Sequence, residues 1–565
     1  MTSAPAAPAA SDWLAAHRER LDGALAAIHS RGYYSAFPES PSPRVYGETA
    51  AADGQAAFEA HRGTTYDLST PGAGNTVSSE RSPFGIPLDV QYPHVTEDGL
   101  DELLAAAGAG LTGWRQAGVD GRVGVGLEIL DRLHKRVFEL AYAVQHTSGQ
   151  AFVMAFQAGG AHALDRALEA IAYAHEEMSR YPATAEWTKP AKGDPIRLEK
   201  NFTVVGRGVA LVIGCNTFPT WNSWPGLFAS LVTGNAVVVK PHPLAVLPLA
   251  ITVSVCREVL AEAGYDPNLV TLACEHPGDG LAKPLATRPE IKLIDFTGGN
   301  EFGEWLEQNA KQATVFTEKA GVNAVVIDST DSFKALTGNL AFTLSLYSGQ
   351  MCTTTQNLFI PADGIETDEG HKSFDEVAAG LAKAIDRLLG DDARAVELLG
   401  GIVNEGVINR LELAPEYGDV VLASRAIEHP AFPDAVVRTP LLVALDGKDE
   451  DTFSRECFGP VSFLIRTSGT AESIELFGKT VAEGGAMTAG VYSTDEAVLA
   501  DMREAALDVG VALSENLTGQ VFVNQSAAFS DFHGTGANPA ANATYTDGAY
   551  VAGRFRVIQS RRHVG

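Results

Sequence analysis

Residues 209–240 read VALVIGCNTFPTWNSWPGLFASLVTGNAVVVK, and they carry the pattern that decides the fold. Two short runs rich in valine, 209–214 and 235–240, flank a longer stretch of helical character. Similar short runs follow further along the chain, as LVTLA, IKLIDF and AVVID, again separated by helical stretches. Short, nearly continuous apolar strands that alternate with helices are typical of a parallel sheet covered on both faces. The pattern therefore predicts βαβ units and an α/β fold.

The stretch from Gly208 to Val239 carries no charge, but it does not predict a membrane span. Asn216, Pro219 and Asn222 lie inside it, and a helix exposed to lipid would not carry them. The 565 residues include 70 acidic and 42 basic side chains, for a net charge of −28. Such a charge disfavours contact with nucleic acid or an anionic membrane. We therefore expect no membrane partner and no nucleic-acid partner.

The cysteine pattern indicates a reduced protein without a metal site. Five cysteines are present, and no two of them form a C-x-x-C pair. The N-terminus shows no basic start followed by an apolar core, so it does not predict a secretory signal. A cytoplasmic location is expected.

Cys352 is the candidate nucleophile. It lies in YSGQMCTTTQN among small polar residues, a setting that suits an exposed and activated thiolate. The alternative is that Cys352 is a small hydrophobic residue of the core. That alternative is favoured for Cys215, Cys256 and Cys274, which lie in apolar runs.

Several polar residues follow predicted strands. Glu318 comes after the run VFT, Lys240 ends NAVVVK, and Gly298 and Gly299 follow IKLIDF and open a helix. The carboxyl ends of parallel strands are where α/β folds bind nucleotides, and a helix N-terminus offers backbone N–H groups to an anion. A second acid, Glu456, lies in ECFGP. Taken alone, Glu318 is better explained as a solvated loop acid, but the order and spacing of all these residues along the chain are informative.

In this order the motifs resemble those of the aldehyde dehydrogenase superfamily. SGQMC is similar to the family's G-Q-x-C loop, TEKAGVN to E-L-G-G-K-N, and FTGGNEFG to F-T-G-S-x-x-x-G. VVVKP and ECFGP are similar to V-x-K-P and E-x-F-G-P, and Glu318 precedes Cys352 by 34 residues, as in the family. Within the superfamily, CNTFPTWNSWPG and SGQMCTTTQN resemble the phenylacetic acid degradation protein PaaN group.

The resemblance implies a fold in three parts: a Rossmann-type nucleotide domain, an α/β catalytic domain and a small β flap for oligomerisation. An edge strand in the flap needs a partner, so a homodimer or a dimer of dimers is expected. The expected boundaries are 1–96 for a helical and irregular N-terminal extension, 97–182 and 206–321 for the nucleotide domain, 322–525 for the catalytic domain, and 183–205 with 540–565 for the flap.

The resemblance also implies the reaction. The Cys352 thiolate would attack an aldehyde, and its backbone N–H together with a side-chain amide would hold the oxyanion. After hydride transfer to the nicotinamide, Glu318 would activate the water that hydrolyses the thioester. The oxyanion amide is open: a gapless match places Thr217 there, Asn222 is an alternative, and Asn216 is favoured.

The same resemblance implies a nucleotide site built from several motifs. Lys240 and Glu456 would hold the ribose hydroxyls, and the helix that opens at 298–299 would meet the pyrophosphate. Gly303 and Phe458 belong to the cofactor site through their motifs, and Pro243 stands where the family has a ribose-binding glutamate. Since an acid there would repel a 2′-phosphate, we expect NADP to be used at least as well as NAD, with Lys240 or His242 meeting the phosphate.

The substrate is expected to be a small aldehyde. The PaaN resemblance suggests a semialdehyde from phenylacetate, possibly linked to coenzyme A. About 100 residues follow Glu456, too few for the hydratase domain fused in related proteins. Three alternatives stay open: a CoA-acylating dehydrogenase, which generally lacks the base at Glu318; a nucleotide-independent cysteine (thio)esterase; and a non-catalytic binding protein.

Overall fold

The computed structural model describes residues 10–319 and 321–564, so the first nine residues of the expected extension lie outside this part. Its first core is a five-stranded sheet in which all neighbouring strands run parallel. The strand order across this sheet is Val270–Leu272, Ala236–Lys240, Val209–Ile213, Ile291–Thr297 and Thr314–Glu318. The α/β fold expected from the sequence is confirmed.

The order of this sheet reverses beside Val209–Ile213, which the chain's next two long strands flank on opposite sides. All five residues of this strand and of Ala236–Lys240 are buried, because helices cover both faces. One of these helices, Pro219–Val232, begins with a proline, whose fixed φ suits the first helical turn. The crevice at such a reversal, at the carboxyl ends of the strands, is where α/β sheets bind ligands.

A seven-stranded sheet forms the second core, with one antiparallel edge strand. Its order is Asp419–Leu422, Leu441–Asp446, Val461–Thr467, Asn357–Pro361, Ala324–Ile327, Ala489–Tyr492 and Leu513–Glu515. Glu318 ends the last strand of the first sheet, and the chain enters the second sheet at Ala324. The carboxyl edge of one sheet therefore faces the amino edge of the other.

A third sheet lies outside both cores. It is antiparallel and joins Thr184–Lys189, Ile196–Gly206 and the C-terminal strand Phe555–Val564. Most of its side chains are exposed, including Trp187, Ile196 and Ile558. The domain boundaries and a role of this sheet in oligomerisation stay predictions.

The N-terminal region packs against the first sheet and its helices. The buried Glu80 carboxylate accepts hydrogen bonds from the backbone N–H groups of Val246 and Leu247, at the start of helix Leu247–Glu262. Its other oxygen accepts from the Tyr92 hydroxyl at 2.5 Å. This acid at a helix N-terminus ties the irregular N-terminal segment to the loop after Lys240.

The remaining elements surround these sheets. The short strands are Ala73–Val77, Tyr92–Val95, Ser329–Thr330, Ile365–Thr367, Gly370–Lys372, Ala426–Ile427 and Val437–Arg438. The other α-helices are Ala10–Ala16, Arg18–Ser30, Pro43–Tyr46, Ala50–Glu59, Leu100–Ala109, Leu111–Gln116, Gly118–Lys135, Val137–Ser148, Phe152–Phe156, His162–Ser179, Ala282–Ala286, Asn300–Asn309, Phe333–Ser345, Phe374–Leu388, Asp392–Ala395, Glu405–Leu413, Glu450–Phe453, Thr470–Gly484, Glu496–Asp508 and Gly548–Ala552. Within residues 10–319 and 321–564, no helix has the length and apolar character needed to cross a membrane.

Candidate active site

Cys352 and Glu318 meet where the two sheets face each other. Glu318 ends a strand of the first sheet, and Cys352 lies in the loop before strand Asn357–Pro361 of the second. That strand pairs in parallel with Ala324–Ile327, and Asn357 lies opposite Ala324. The segment that follows Glu318 and the segment that follows Cys352 therefore enter the second sheet side by side. The Asn323 amide donates to the Cys352 carbonyl at 2.8 Å and fixes the loop.

A histidine completes the group. The Nε2 atom of His533 lies 3.0 Å from Oε1 of Glu318 and 3.8 Å from Sγ of Cys352. The Asn222 amide donates to Oε2 of Glu318 at 2.8 Å. Glu318 and His533 are buried, whereas Cys352 keeps some exposure. Cys352 is therefore accessible, while Glu318 and His533 beside it are held in fixed positions.

The electrostatics of this group favour a charged carboxylate and a protonated thiol. Burial opposes ionisation of Glu318, but the charge and hydrogen bond of His533 outweigh it, together with Cys352 and Asn222, so the pKa of Glu318 is lowered. Burial raises the pKa of Cys352 well above its ordinary value, and the adjacent Glu318 adds to this. Forming the thiolate in this structure requires further stabilisation of negative charge.

The three oxyanion candidates occupy different places. Asn222 is bonded to Glu318, and its Oδ1 lies 3.6 Å from the sulfur of Cys215. The amide of Asn216, the favoured candidate, donates instead to the carbonyl of Thr147 at 3.0 Å. The Thr217 hydroxyl lies 3.9 Å from the Cys215 sulfur. No contact brings Asn216 to Cys352 within the described residues, so its oxyanion role stays a prediction.

Lys240 and Glu275 form an ion pair at the carboxyl edge of the first sheet. Lys240 ends its strand, and Glu275 lies just after the neighbouring strand Val270–Leu272; both side chains are buried. The second oxygen of Glu275 accepts from the backbone N–H of Leu281 at 2.6 Å. Burial and the charge of Lys240 lower the pKa of His242 to about 4, so this imidazole is neutral at pH 7. Pro243 follows in the same loop.

The glycines predicted to meet the pyrophosphate lie at the start of helix Asn300–Asn309. Gly299 caps that helix in an extended conformation and leaves open space where a side chain would project. A side chain at Gly303 would collide with the buried Lys319, so this glycine permits close packing of helix and strand. Beside Gly299 an open groove is lined by Lys283, Phe302 and Trp305, among others.

The sequence model of the aldehyde dehydrogenase family matches residues 79–536 of this chain. The chain belongs to the aldehyde dehydrogenase family. A solved structure described as an NAD-dependent aldehyde dehydrogenase from Burkholderia multivorans is 59% identical, with a TM-score of 0.96 over 98% of this chain and 99% of that one.

More distant relatives match in part. An aldehyde dehydrogenase family 7 member A1 homolog from Caenorhabditis elegans is 25% identical over 284 residues, 48% of this chain and 50% of that protein. The chain thus spans about half the length of that curated relative. An N-succinylglutamate 5-semialdehyde dehydrogenase from Paraburkholderia xenovorans is 25% identical over 409 residues, 71% of this chain and 78% of that protein.

Glu456 and Phe458, the remaining predicted cofactor residues, line a small pocket that also includes Met351, the neighbour of Cys352. Burial raises the pKa of Glu456 to about 7, and the nearby Arg410 partly opposes the rise. The guanidinium of Arg410 donates to the Phe458 carbonyl at 2.7 Å. Both residues therefore lie on the catalytic side of the crevice, opposite the edge that holds Lys240.

Sequence reasoning missed His533 and Glu275. His533 lies in an irregular segment, FHGTGANPAANA, and Glu275 in CEHPGDG; neither matches a motif quoted for the family. The weak signal for Glu275 was its place just after a buried strand next to the strand of Lys240. For His533 the sequence offers no such signal.

A second close group of acids and a histidine lies far from Cys352. His17 and Glu128 form an ion pair, and Asp131 lies beside them. Arg132 pairs with Glu128, and Arg20 pairs with Asp131. Ion pairing accounts for this group, and the expectation that the protein holds no metal stays a prediction.

Proposed function

We propose that this aldehyde dehydrogenase oxidises an aldehyde to a carboxylic acid with a nicotinamide dinucleotide as hydride acceptor. The observation that supports it most strongly is the meeting of Cys352 and Glu318 beside the crevice that Lys240 and Gly299 border. A bound dinucleotide would supply the hydride acceptor. Its pyrophosphate suits the N-terminus of helix Asn300–Asn309, and its adenosine suits the groove that Lys283, Phe302 and Trp305 line.

The residues of this chain divide the chemistry into two steps. The sulfur of Cys352 forms a bond to the aldehyde carbon, and loss of hydride from that carbon leaves a thioester on the sulfur. Glu318 then takes a proton from water, whose oxygen attacks the thioester carbon and releases the acid and the Cys352 sulfur. The buried and ionised Glu318 supports water, rather than coenzyme A, as the acceptor.

The test is the change in absorbance at 340 nm with a panel of aldehydes, run beside the Cys352→Ala variant. We expect nucleotide reduction that the variant abolishes, with the free acid as product whether or not coenzyme A is present. An acyl-CoA product would instead favour the CoA-acylating alternative.

For the nucleotide, the contacts support NAD. The expectation of NADP rests on Pro243, but Glu275 from the neighbouring strand puts a carboxylate beside Lys240. A neutral His242 and an already paired Lys240 offer little charge to a 2′-phosphate. The related Burkholderia protein is described as NAD-dependent.

Calorimetry of both nucleotides with wild type and Glu275→Gln tests this choice without turnover. We expect wild type to bind NAD at least about 10-fold more tightly than NADP. In Glu275→Gln the ratio of the two affinities should be smaller. Equal affinity of wild type for the two nucleotides would restore the expectation drawn from Pro243.

The substrate is proposed only as a class. Phe218 and Trp221 lie near Cys215 and Tyr347 on the apolar side of the site, which suits a substrate with an apolar body. A semialdehyde from phenylacetate, possibly linked to coenzyme A, stays the narrower proposal and rests on the resemblance to the PaaN group. The panel should therefore run from short aliphatic aldehydes to CoA-linked semialdehydes.

Assembly and location are proposed on separate grounds. The exposed three-stranded sheet supports pairing with a second copy, because unpaired strand edges tend to find partners. All five cysteines are free, which supports a reducing compartment such as the cytoplasm. Light scattering of the purified protein tests the first proposal.

The geometry also favours a second candidate function. A cysteine beside a histidine is the pair through which some enzymes form the thiolate that cleaves esters and thioesters, and Cys352 lies 3.8 Å from Nε2 of His533. Hydrolysis of an activated ester without nucleotide, combined with no nucleotide binding in the calorimeter, would favour that function over oxidation.

A further inference from the structure

His533 is held rigidly beside the nucleophile although no recognised motif contains it. Its backbone exchanges two hydrogen bonds with Tyr545, at 3.2 and 2.9 Å. The buried guanidinium of Arg166 donates to the carbonyls of Asp531 and Tyr545, at 3.0 and 3.2 Å. The indole of Trp221 meets the imidazole edge to face, with ring centres 4.5 Å apart. The ring is therefore fixed from both sides.

The hydrogen-bond partners define where the ring carries its proton. The ionised carboxylate of Glu318 only accepts, so Nε2, 3.0 Å away, carries a hydrogen. The other ring nitrogen, Nδ1, lies 3.5 Å from the hydroxyl of Ser526, which can donate or accept. The ring can thus take a second proton at Nδ1 without losing its contact to Glu318.

The thiolate needs such a cation. Ionised Cys352 would lie beside ionised Glu318, and like charges in a buried site repel strongly. The other charged groups around His533 are already paired or bonded: Arg166 with Glu169 at 2.8 Å, and Asp531 with the backbone of Ala527. Within the described residues, the titratable side chains that contact the ring are Glu318, Cys352 and Tyr545. Arg166, Glu169 and Asp531 lie one contact further out.

We infer that His533 is a catalytic residue of this chain, because its imidazolium form lies between the Cys352 thiolate and the Glu318 carboxylate and stabilises both. The sulfur gives its proton to water, and Nδ1 takes one from water, so no oxidant or reductant is needed. The Nε2 hydrogen stays between Sγ and Oε1. The inference deepens the proposed function, but the thiolate itself can be measured without any aldehyde or nucleotide.

The experiment is the rate of alkylation of Cys352 by iodoacetamide between pH 5 and 10, in nucleotide-free protein. Mass spectrometry of the peptide that contains Cys352 separates its reaction from that of the other cysteines. We expect His533→Gln to react at least about 10-fold more slowly than wild type at pH 7 and to need a higher pH for half-maximal rate. His533→Asn provides a second variant if the first fails to fold.

His146→Gln is the matched control. His146 is a buried histidine that stacks on Phe58 and has no contact with Cys352 in the described part of the chain. We expect its alkylation profile to follow wild type. Profiles of folded His533 variants that coincide with wild type would overturn the inference, whatever the result with aldehydes. If wild type oxidises no aldehyde, the proposed function fails, but the alkylation experiment still tests the role of His533.

Discussion

The proposed catalytic centre, around Cys352, and the proposed nucleotide edge, around Lys240, share one arrangement but build it from different side chains. Each holds a buried carboxylate beside a basic side chain: Glu318 beside His533, and Glu275 beside Lys240. Lysine stays charged at all ordinary pH values, whereas the charge of a histidine changes near neutral pH. The ammonium of Lys240 can only donate hydrogen bonds, whereas the imidazole of His533 can donate or accept them, so the two carboxylates have partners of different kinds.

This difference fits the task of each region. An edge that binds a nucleotide needs a constant charge and a constant shape, and a buried ion pair held in one geometry provides both. A centre that must form a thiolate and later accept a proton from water needs groups whose protonation changes during the reaction. The following variants test the comparison, from the largest expected effect to the smallest.

Replacing Cys352 by serine should give the largest effect. A hydroxyl is far less ionised than a thiol at neutral pH, so we expect aldehyde oxidation to fall by at least about 10³-fold. Nucleotide affinity should stay unchanged, because Lys240 and Gly299 lie on the other side of the crevice. Steady-state kinetics and calorimetry together measure both, and a variant that keeps a tenth of the activity would exclude Cys352 as the nucleophile.

Replacing Lys240 by methionine should chiefly affect stability. The variant leaves Glu275 buried without its cation, which costs about 3–5 kcal/mol of the free energy of unfolding. Lys311→Met, which removes an exposed ammonium, should change it by less than about 0.5 kcal/mol. Urea unfolding measures both. If the two variants have the same free energy of unfolding, the buried ion pair does not stabilise the fold, and the comparison between the two regions fails.

Replacing Asn222 by alanine should weaken the second chemical step. Glu318 loses the hydrogen bond at 2.8 Å that holds its carboxylate in place, so the base is less well oriented towards water and hydrolysis of the thioester should slow by about 10-fold. Single-turnover experiments separate this step from hydride transfer, which should change less. An equal loss in both steps would instead indicate that Asn222 acts on the oxyanion.

The smallest expected effect is a pH dependence at Glu456. Its pKa of about 7 lies above the ordinary 4.5, so the folded protein holds an extra proton between these values. The stability linked to this proton is present at low pH and is lost as pH rises through 7. Acceptance of ribose hydroxyls needs the ionised form, so nucleotide affinity should increase over the same range, and Glu456→Gln should abolish that increase in calorimetry.

Much of the fold was predictable because its signals are local. The valine-rich runs at 209–214 and 235–240 are buried strands of a parallel sheet, and the helical stretch between them is a helix. The fold class and the family are confirmed, whereas the domain boundaries, the PaaN resemblance and the use of NADP at least as well as NAD stay predictions.

The candidate site was predictable only in part. Cys352, Glu318 and Lys240 each stand next to a strand, and motifs mark such positions. The side chains that pair with them, His533 and Glu275, do not lie in such motifs. His533 comes from a segment 215 residues after Glu318, and Glu275 from a loop after another strand.

By itself, the sequence determined the buried strands, the helices between them and the order of the motifs that follow them. It did so because hydrophobic periodicity and turn residues act over a few neighbours along the chain. Only the tertiary structure decided that Glu318 meets His533 and that Lys240 meets Glu275. Each contact joins a strand end to an irregular loop whose sequence shows no hydrophobic period. The energy of both contacts arises from burial, which exists only once the sheets have formed.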